Sequence, residues 1–440
     1  MISTMGAFKI NKTFLFMQCP NACSFVHTLR ISSLKVKWRR DYGMDEAIKN
    51  DKRWRLCDKI VREVLKEPGH VIPLRYLEKR RERLHLPYKV QTFLKQYPGL
   101  FEMYMDRIKP KTQPVPFLRI SDRLAQFLEE EKRIKNDNEL LLIDRLKRIL
   151  MLTQHKCLSV QKLADVKRDF GFPEDLISTL SSKYPNLFRV VHDDDNGLTP
   201  PYVQLVSSDL SNANNTPLSA VEMMAQEESH NTPLSAVEMR AQEESLKTGR
   251  PYTPAFSVRL PPGMVLKKGM MEWTRNWMEC PYISPYVDST HLDPALPEME
   301  KRTVGVLHEV LSLTVLRRMA VPTLGKFCND FRLPNAYTKI FTRHPGIFYL
   351  CHKGGIETIM LREAYDRADL IDKDPLLLIK EKFCELLKEG REKQAKEKGT
   401  EMDSDSSEEG SSVQNGHGIE DMIKDDTKIG DEANTGQKEK

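Results

Sequence analysis

The sequence predicts a mainly α-helical protein with short β-hairpins, built as three copies of one unit. Leu86-Pro87 is followed by Tyr97-Pro98-Gly99-Leu100-Phe101, and the phrase returns as Phe172-Pro173 with Tyr184-Pro185-Asn186-Leu187-Phe188. It returns again as Leu333-Pro334 with His344-Pro345-Gly346-Ile347-Phe348, the two prolines standing 11, 12 and 11 residues apart. A spacing kept three times implies one supersecondary unit used three times. The first proline suits the first turn of a helix, and the second ends that helix about three turns later. Two further observations complete the unit: amphipathic runs precede each phrase, and a pair of apolar-aromatic segments follows it. Helix, helix, helix, hairpin is the order of a winged helix, so three winged-helix-like units are expected.

In the first copy, Ile60, Val61, Val64 and Leu65 stand at helical spacing. Pro68-Gly69 breaks that helix, and Leu74, Leu77 and Leu84 mark the next. Leu100 to Tyr104 then faces Pro116-Phe117-Leu118-Arg119-Ile120 across a Pro/Lys-rich turn. The second copy predicts helices near 141–153 and 158–169, and a hairpin of 187–191 with 202–206 across Asp193-Asp194-Asp195-Asn196-Gly197. In the third, 304–316 and 322–331 precede the phrase, and 347–351 pairs with 358–361 around Gly354-Gly355. Within the phrase helices, Val90, Phe93, Leu94 and Tyr97 form an apolar stripe, repeated by Leu176, Leu180 and Tyr184 and by Tyr337, Ile340, Phe341 and His344. These stripes are core.

The repeated phrases resemble the plant organelle RNA recognition domain. So do Lys37-Trp38-Arg39-Arg40-Asp41, the run from Trp277 through Cys280-Pro281-Tyr282-Ile283-Ser284-Pro285-Tyr286, and Leu361-Arg362-Glu363-Ala364-Tyr365 with Asp374-Pro375-Leu376. The resemblance spans roughly residues 35–390 and is similar in particular to the "What's this factor" group of intron-splicing proteins. It implies binding of organellar intron-containing RNA, help in splicing group II introns, and company with other splicing factors in a ribonucleoprotein particle.

Charge agrees with a polyanionic partner. Of 440 residues, 68 are Lys or Arg and 63 Asp or Glu, a net of +5. Residues 401–440 hold 12 acids against 4 bases, and residues 35–120 hold 22 bases against 11 acids. The basic excess is thus local. The eight cysteines are scattered, with Cys19 and Cys23 the one close pair, so reduced thiols are expected and not a zinc site. Residues 1–40 lack Asp and Glu but carry Lys9, Lys12, Arg30, Lys35, Lys37, Arg39 and Arg40. That composition predicts a transit peptide over 1–34, read as mitochondrial with chloroplast the alternative. The apolar stretch 13–17 is too short to span a membrane.

Residues 215–230 (NTPLSAVEMMAQEESH) recur as 231–246 (NTPLSAVEMRAQEESL), identical at 14 of 16 positions. A tandem duplication suits a segment that tolerates insertion, so 207–250 is expected to be a flexible linker. It divides the domain into 35–206, with two units, and 251–390, with the third. Residues 391–440 are expected to be a disordered acidic tail.

Phosphate-loop, His-Glu-x-x-His and Gly-x-Ser-x-Gly signatures are missing from the sequence, and no cofactor or small-molecule substrate is expected. Asp193 to Gly197 lacks the acid of a calcium loop, because Gln204 stands at the twelfth position. The candidate RNA-binding residues interleave cations with aromatics: Lys37, Trp38, Arg39 and Arg40, then Arg53 and Arg55 around Trp54. Arg75, Lys79, Arg80 and Arg83 form a denser group, countered in part by Glu78 and Glu82. Opposite the apolar stripe, the first phrase helix carries Lys89 and Lys95, and the third carries Lys339 and Arg343. Trp273 and Trp277, four residues apart, read as a packing pair. The expected function is a non-catalytic RNA-binding splicing protein. The alternatives are an organellar DNA-binding regulator and a protein–protein scaffold.

Overall fold

A computed structural model describes residues 39–402, except 85, 87–88, 109–112, 193–200, 207–231, 262, 294 and 354. It is mainly α-helical with small antiparallel sheets. One element order appears three times.

Unit 1 starts with α1 (Tyr42–Leu65), capped by Asp41, whose carboxylate accepts from the Met44 N–H. There follow β1 (Val71–Pro73), the short helices α2 (Leu74–Lys79), α3 (Arg81–Leu84) and α4 (Val90–Leu94), and the hairpin β2 (Phe101–Asp106) and β3 (Val115–Ile120). A connecting helix, α5 (Asp122–Asp137), leads to unit 2: α6 (Glu139–Leu152), β4 (Cys157–Ser159), α7 (Val160–Phe170), α8 (Leu176–Lys183), β5 (Phe188–Val191) and β6 (Tyr202–Leu205). After α9 (Ala236–Thr248) and α10 (Lys268–Glu279), unit 3 comprises α11 (Pro297–Leu313), β7 (Arg318–Ala320), α12 (Val321–Gly325), α13 (Thr338–Arg343), β8 (Phe348–Cys351) and β9 (Thr358–Leu361). The two-stranded β10 (Tyr365–Asp366) and β11 (Asp369–Leu370) and the long α14 (Leu377–Met402) close the described chain.

The three-stranded sheets share one order, β1-β3-β2, β4-β6-β5 and β7-β9-β8, with every pairing antiparallel. The recurring phrase makes the same turn each time: Leu100, Leu187 and Ile347 donate their N–H to the carbonyls of Tyr97, Tyr184 and His344. Those same three apolar residues then accept through their carbonyls from the N–H of Ser121, Val206 and Arg362, which locks the far strand of each hairpin. Just ahead of β1, β4 and β7, His70, Lys156 and Arg317 all take left-handed backbone, with φ of 56°, 51° and 50°. Repetition therefore extends to individual dihedrals.

The phrase helices are shorter than the proline spacing suggests. Pro173 and Pro334 precede α8 and α13 by three and four residues. In unit 3 a turn intervenes, with the Tyr337 N–H bonded to the Pro334 carbonyl. The apolar stripe holds nonetheless: Val90, Phe93, Leu94, Tyr97, Leu176, Tyr184, Tyr337, Ile340, Phe341 and His344 are all buried.

Units 2 and 3 share one hydrophobic core, and unit 1 has its own. Backbone bonds join units 2 and 3 directly: the Gln154 N–H donates to the Asp330 carbonyl (3.0 Å), and the Val315 N–H to the Asp169 carbonyl (2.8 Å). Lys326 pairs with Asp165 at 2.5 Å across the same seam. Two long helices tie unit 1 to the rest. The start of α1 lays Met44, Ala47 and Ile48 on Tyr349, Cys351 and Met360 of the unit 3 sheet. At the other end, α14 inserts Phe383, Leu386 and Leu387 into the unit 1 core. Gly390 of α14 comes so near Gly99 that a Cβ on Gly390 would lie 3.1 Å from the Gly99 nitrogen.

Two expected boundaries change. Residues 232–250 are not a flexible linker: α9 carries a capping box, in which Ser235 and Glu238 bond each other's backbone N–H, and it buries Val237 and Ala241. Glu309 of α11 accepts from the Ala236 N–H at 2.7 Å, and Arg240 pairs with Glu363 at 2.6 Å. The reason is amphipathicity within the duplicated sequence, which seats one copy on α11. The first copy, 215–230, lies outside the described residues, as do the transit-peptide segment 1–34 and the acidic turn 193–197. The expected tail from 391 is helical as far as Met402, because its Glu, Lys, Gln and Ala residues favour the continuation of α14.

Candidate nucleic-acid interface

The expected binding residues separate into cations held inside the fold and cations left at its surface. Lys37 and Trp38 lie outside the described residues, as does the side chain of Arg53. Arg39 is exposed and donates to the Gly263 carbonyl. Arg40 binds Asp45 at 2.5 Å and lies over the Tyr42 ring, 4.8 Å from its centroid. The Asp45 bond raises its already high pKa. Arg55 is half-buried beside Asp169 of unit 2, and desolvation pulls its guanidinium pKa down. Arg343 pairs with Glu300 at 2.6 Å, and Glu300 also bonds His344 at 2.8 Å. Arg40, Arg55 and Arg343 thus each lie against a carboxylate of the fold, and any contact they make with RNA would be made from these paired positions. Each stands beside a carboxylate distant in sequence or on a neighbouring turn, which compensates the guanidinium on burial.

The dense basic group of unit 1 is divided by Glu63. That carboxylate, on α1, accepts from Lys66 (2.8 Å), Arg80 (3.2 Å) and Arg83 (2.6 Å), and Arg80 reaches Glu67 as well (2.8 Å). Burial alone would raise the Glu63 pKa, yet the Lys66 bond and the Lys66, Arg83 and Arg80 charges hold it below its usual value. Arg80 is largely spent in this cluster. Arg83 keeps 65% of its side chain exposed and can turn outward.

Arg75 and Lys79 occupy the solvent side of α2, on either side of Tyr76. Arg75 lies over the Tyr76 ring at 4.9 Å and Lys79 at 5.9 Å, so cations and one exposed ring form a continuous strip. Glu78, on the same helix, caps α4 by accepting from the Val90 N–H at 2.8 Å. That bond sets α4, with exposed Lys89 and Lys95 at its ends, against α2. Among the described residues no carboxylate pairs with Arg75, Lys79, Lys89 or Lys339. Lys339 is exposed on α13, far from the unit 1 group in sequence.

Charge marks unit 1 out. Residues 42–120 carry 18 Lys/Arg against 10 Asp/Glu, residues 139–206 carry 9 against 9, and residues 297–361 carry 9 against 5. The sequence reading missed Tyr76 and Arg119. Arg119 could have been found from the alternation of β3, which turns Leu118 into the core and Arg119 to solvent. Trp273 and Trp277 are buried and stacked, 6.4 Å between centroids, with His344 against both. Among the described residues no group of three or more His, Cys, Asp or Glu could hold a metal ion, and no helix is long and apolar enough to cross a membrane.

The sequence profile of the plant organelle RNA recognition domain matches residues 39–392, which takes in all three units and reaches into α14. The chain belongs to that family. It is 32% identical over 359 residues to Protein WHAT'S THIS FACTOR 1, chloroplastic, of Zea mays, covering 81% of this chain and 68% of that protein. The Arabidopsis thaliana homolog of that protein, also chloroplastic, is 32% identical over 80% of this chain and 63% of its own length. Protein WHAT'S THIS FACTOR 9, mitochondrial, of Arabidopsis thaliana is 27% identical over 80% of this chain and 85% of its own. No solved structure matches the chain.

Proposed function

We propose that this protein binds organellar intron-containing RNA through unit 1 and holds it in a splicing-competent shape, without chemistry of its own. A group II intron would supply the chemistry, and other splicing factors would share the particle. The observation that carries the reading is the coincidence of family membership with a basic excess that is largest in unit 1, where Arg75, Lys79 and Lys89 face solvent. Exposed cations neutralise phosphates and release counterions. Each unit is read as a winged helix, on the shared element and sheet order. In winged helices the third helix commonly meets nucleic acid, an analogy that favours α4 with Lys89 and Lys95.

Reversing Arg75, Lys79 and Lys89 to Glu tests this. The folded variant should bind single-stranded RNA far more weakly, and its salt slope should fall by about 0.7 per lost phosphate contact. Unchanged affinity and slope, or tighter binding of duplex DNA than of RNA by the parent protein, would overturn the reading. For the compartment, Arg30 and the basic, modestly amphipathic start favour a mitochondrion, whereas the relatives at 32% identity carry chloroplastic names. Residues 1–35 fused to a fluorescent protein should enter mitochondria, and plastid fluorescence would reassign the organelle.

A further inference from the structure

The three sheets share a topology, so the same face can be compared in each. In an antiparallel sheet, directly paired residues point to one side. The face turned away from each unit's core carries two rows. In unit 3 one row is Ala320, Thr358 and Cys351, and the other is Arg318, Met360 and Tyr349. Thr358, Cys351, Met360 and Tyr349 are buried there, because the start of α1 docks on this face. A row of small side chains admits that helix.

In unit 1 the corresponding row is Pro73, Phe117 and Tyr104, three rings side by side across three strands. All three are partly exposed. Tyr104 and Phe117 stack at 5.9 Å with 24° between their planes. Arg119, from the second row, lies over Tyr104 at 5.5 Å and keeps 57% of its side chain exposed. Its carboxylate partner, Glu102, is itself 42% exposed, and such a surface pair is worth little. The chain after Pro73 runs straight into α2 with Arg75 and Lys79.

We propose that this face of the unit 1 sheet is a stacking platform for unpaired RNA bases. Tyr104 and Phe117 would present the rings, Pro73 would extend the strip, and Arg119 would bind a phosphate or stack. Flat π surfaces beside cations suit single-stranded nucleic acid, because every base has a π face. The aromatic row and the neighbouring cations select this occupant over a protein helix. Glu102 and Asp106 share the face with Arg119, but Arg119 lies over Tyr104, the chain leaves Pro73 directly into Arg75 and Lys79, and unit 1 carries the largest basic excess of the three units. The proposal rests on the RNA reading and places it on a second surface, beside the α2 cations.

The test uses the full chain and a mixed-sequence single-stranded RNA oligonucleotide. Changing Tyr104 and Phe117 together to Leu keeps apolar bulk and removes both π faces. Binding should weaken about tenfold or more, from the usual value of a base–aromatic stack, while the salt slope stays the same because no charge has changed. Tyr104→Phe should retain affinity. Ultraviolet crosslinks should fall on peptides covering 101–106 or 115–120. The matching change in unit 2, Tyr202→Leu, should leave affinity within twofold, because that unit is charge-balanced. Wild-type affinity in a natively folded Y104L/F117L protein overturns the platform, even where the α2 reversal abolishes binding. If the double variant binds RNA normally but loses a co-purifying protein, the face is a protein dock. If the parent chain binds no RNA, the failure lies with the function reading, and the platform falls with it.

Discussion

His70, Lys156 and Arg317 each hold a Cβ in left-handed backbone, where it crowds its own carbonyl at about 1 kcal/mol or more. Lys156 is exposed, so its substitution isolates the backbone effect. Lys156→Gly should raise thermal stability, by up to about 1 kcal/mol less the added chain entropy of glycine, and Lys156→Val should lower it. A calorimetric scan that ranks Val above Gly would show that the conformation is not strained. Glu363 offers a second test. Burial would raise its carboxyl pKa, yet the His308 bond and the His308 and Arg240 charges bring it down to about 2. A carboxyl with a depressed folded pKa stabilises the fold above its unfolded pKa, near 4.5, and the benefit disappears as pH falls toward 2. Glu363→Gln should therefore cost up to about 3 kcal/mol at neutral pH, most of it gone as pH falls through about 2. A stability gap that does not close on acidification would refute the assignment. At this scale the sequence was least legible. Arg75 and Arg83 look alike on paper, yet Arg83 meets Glu63, twenty residues earlier on another helix, and Arg75 meets Tyr76.

Elements were more legible because their signals are local. The hairpin of Thr358–Leu361 with Phe348–Cys351 follows from two apolar runs around a glycine turn. Helix α9 was misread because insertion tolerance said nothing of burial, whereas its Ser-x-x-Glu capping box and buried Val237 carried the helical signal. Its duplication makes a sharp prediction. Deleting 231–246 joins the first copy directly to Lys247, with Met224 at the place of Arg240 and His230 at that of Leu246, which is 80% exposed. The deletion should then cost only what Arg240→Met costs, about 1 kcal/mol for a partly exposed ion pair with Glu363. Loss of several kcal/mol in the deletion alone would show that the first copy cannot take that seat. Helix α14 yields a further test. Phe383 is buried in the unit 1 core and packs edge-on against Phe127, 5.3 Å between centroids. Phe383→Ala should cost about 3 kcal/mol in denaturant unfolding, and a loss below about 1 kcal/mol would mean that α14 is loosely held.

At the scale of the molecule, the pairing of units was not written in local pattern. Contacts between residues hundreds of positions apart, such as Tyr349 with Asp45 at 2.7 Å, depend on shape and not on periodicity. Threefold repetition was legible, and the asymmetric use of the three copies was not: units 2 and 3 share a core, and unit 1 keeps its own.

The seam between units 2 and 3 has the character of a twofold dimer folded into one chain. Gln154 and Val315 hold equivalent places after α6 and α11, and Asp169 and Asp330 hold equivalent places near the ends of the next helical segments. Exchanging the units therefore exchanges the two backbone bonds for each other, as an isologous interface requires. Asp165 and Lys326 are equivalent as well, so their pair lies on the axis, where a residue meets its own counterpart. Two copies of unit 2 would set Asp165 against Asp165, and two of unit 3 Lys326 against Lys326. Opposite charges at the self-facing position bias each half toward the other and away from homotypic assembly. Lys326→Asp should weaken that preference, and adding Asp165→Lys should restore it with the polarity reversed.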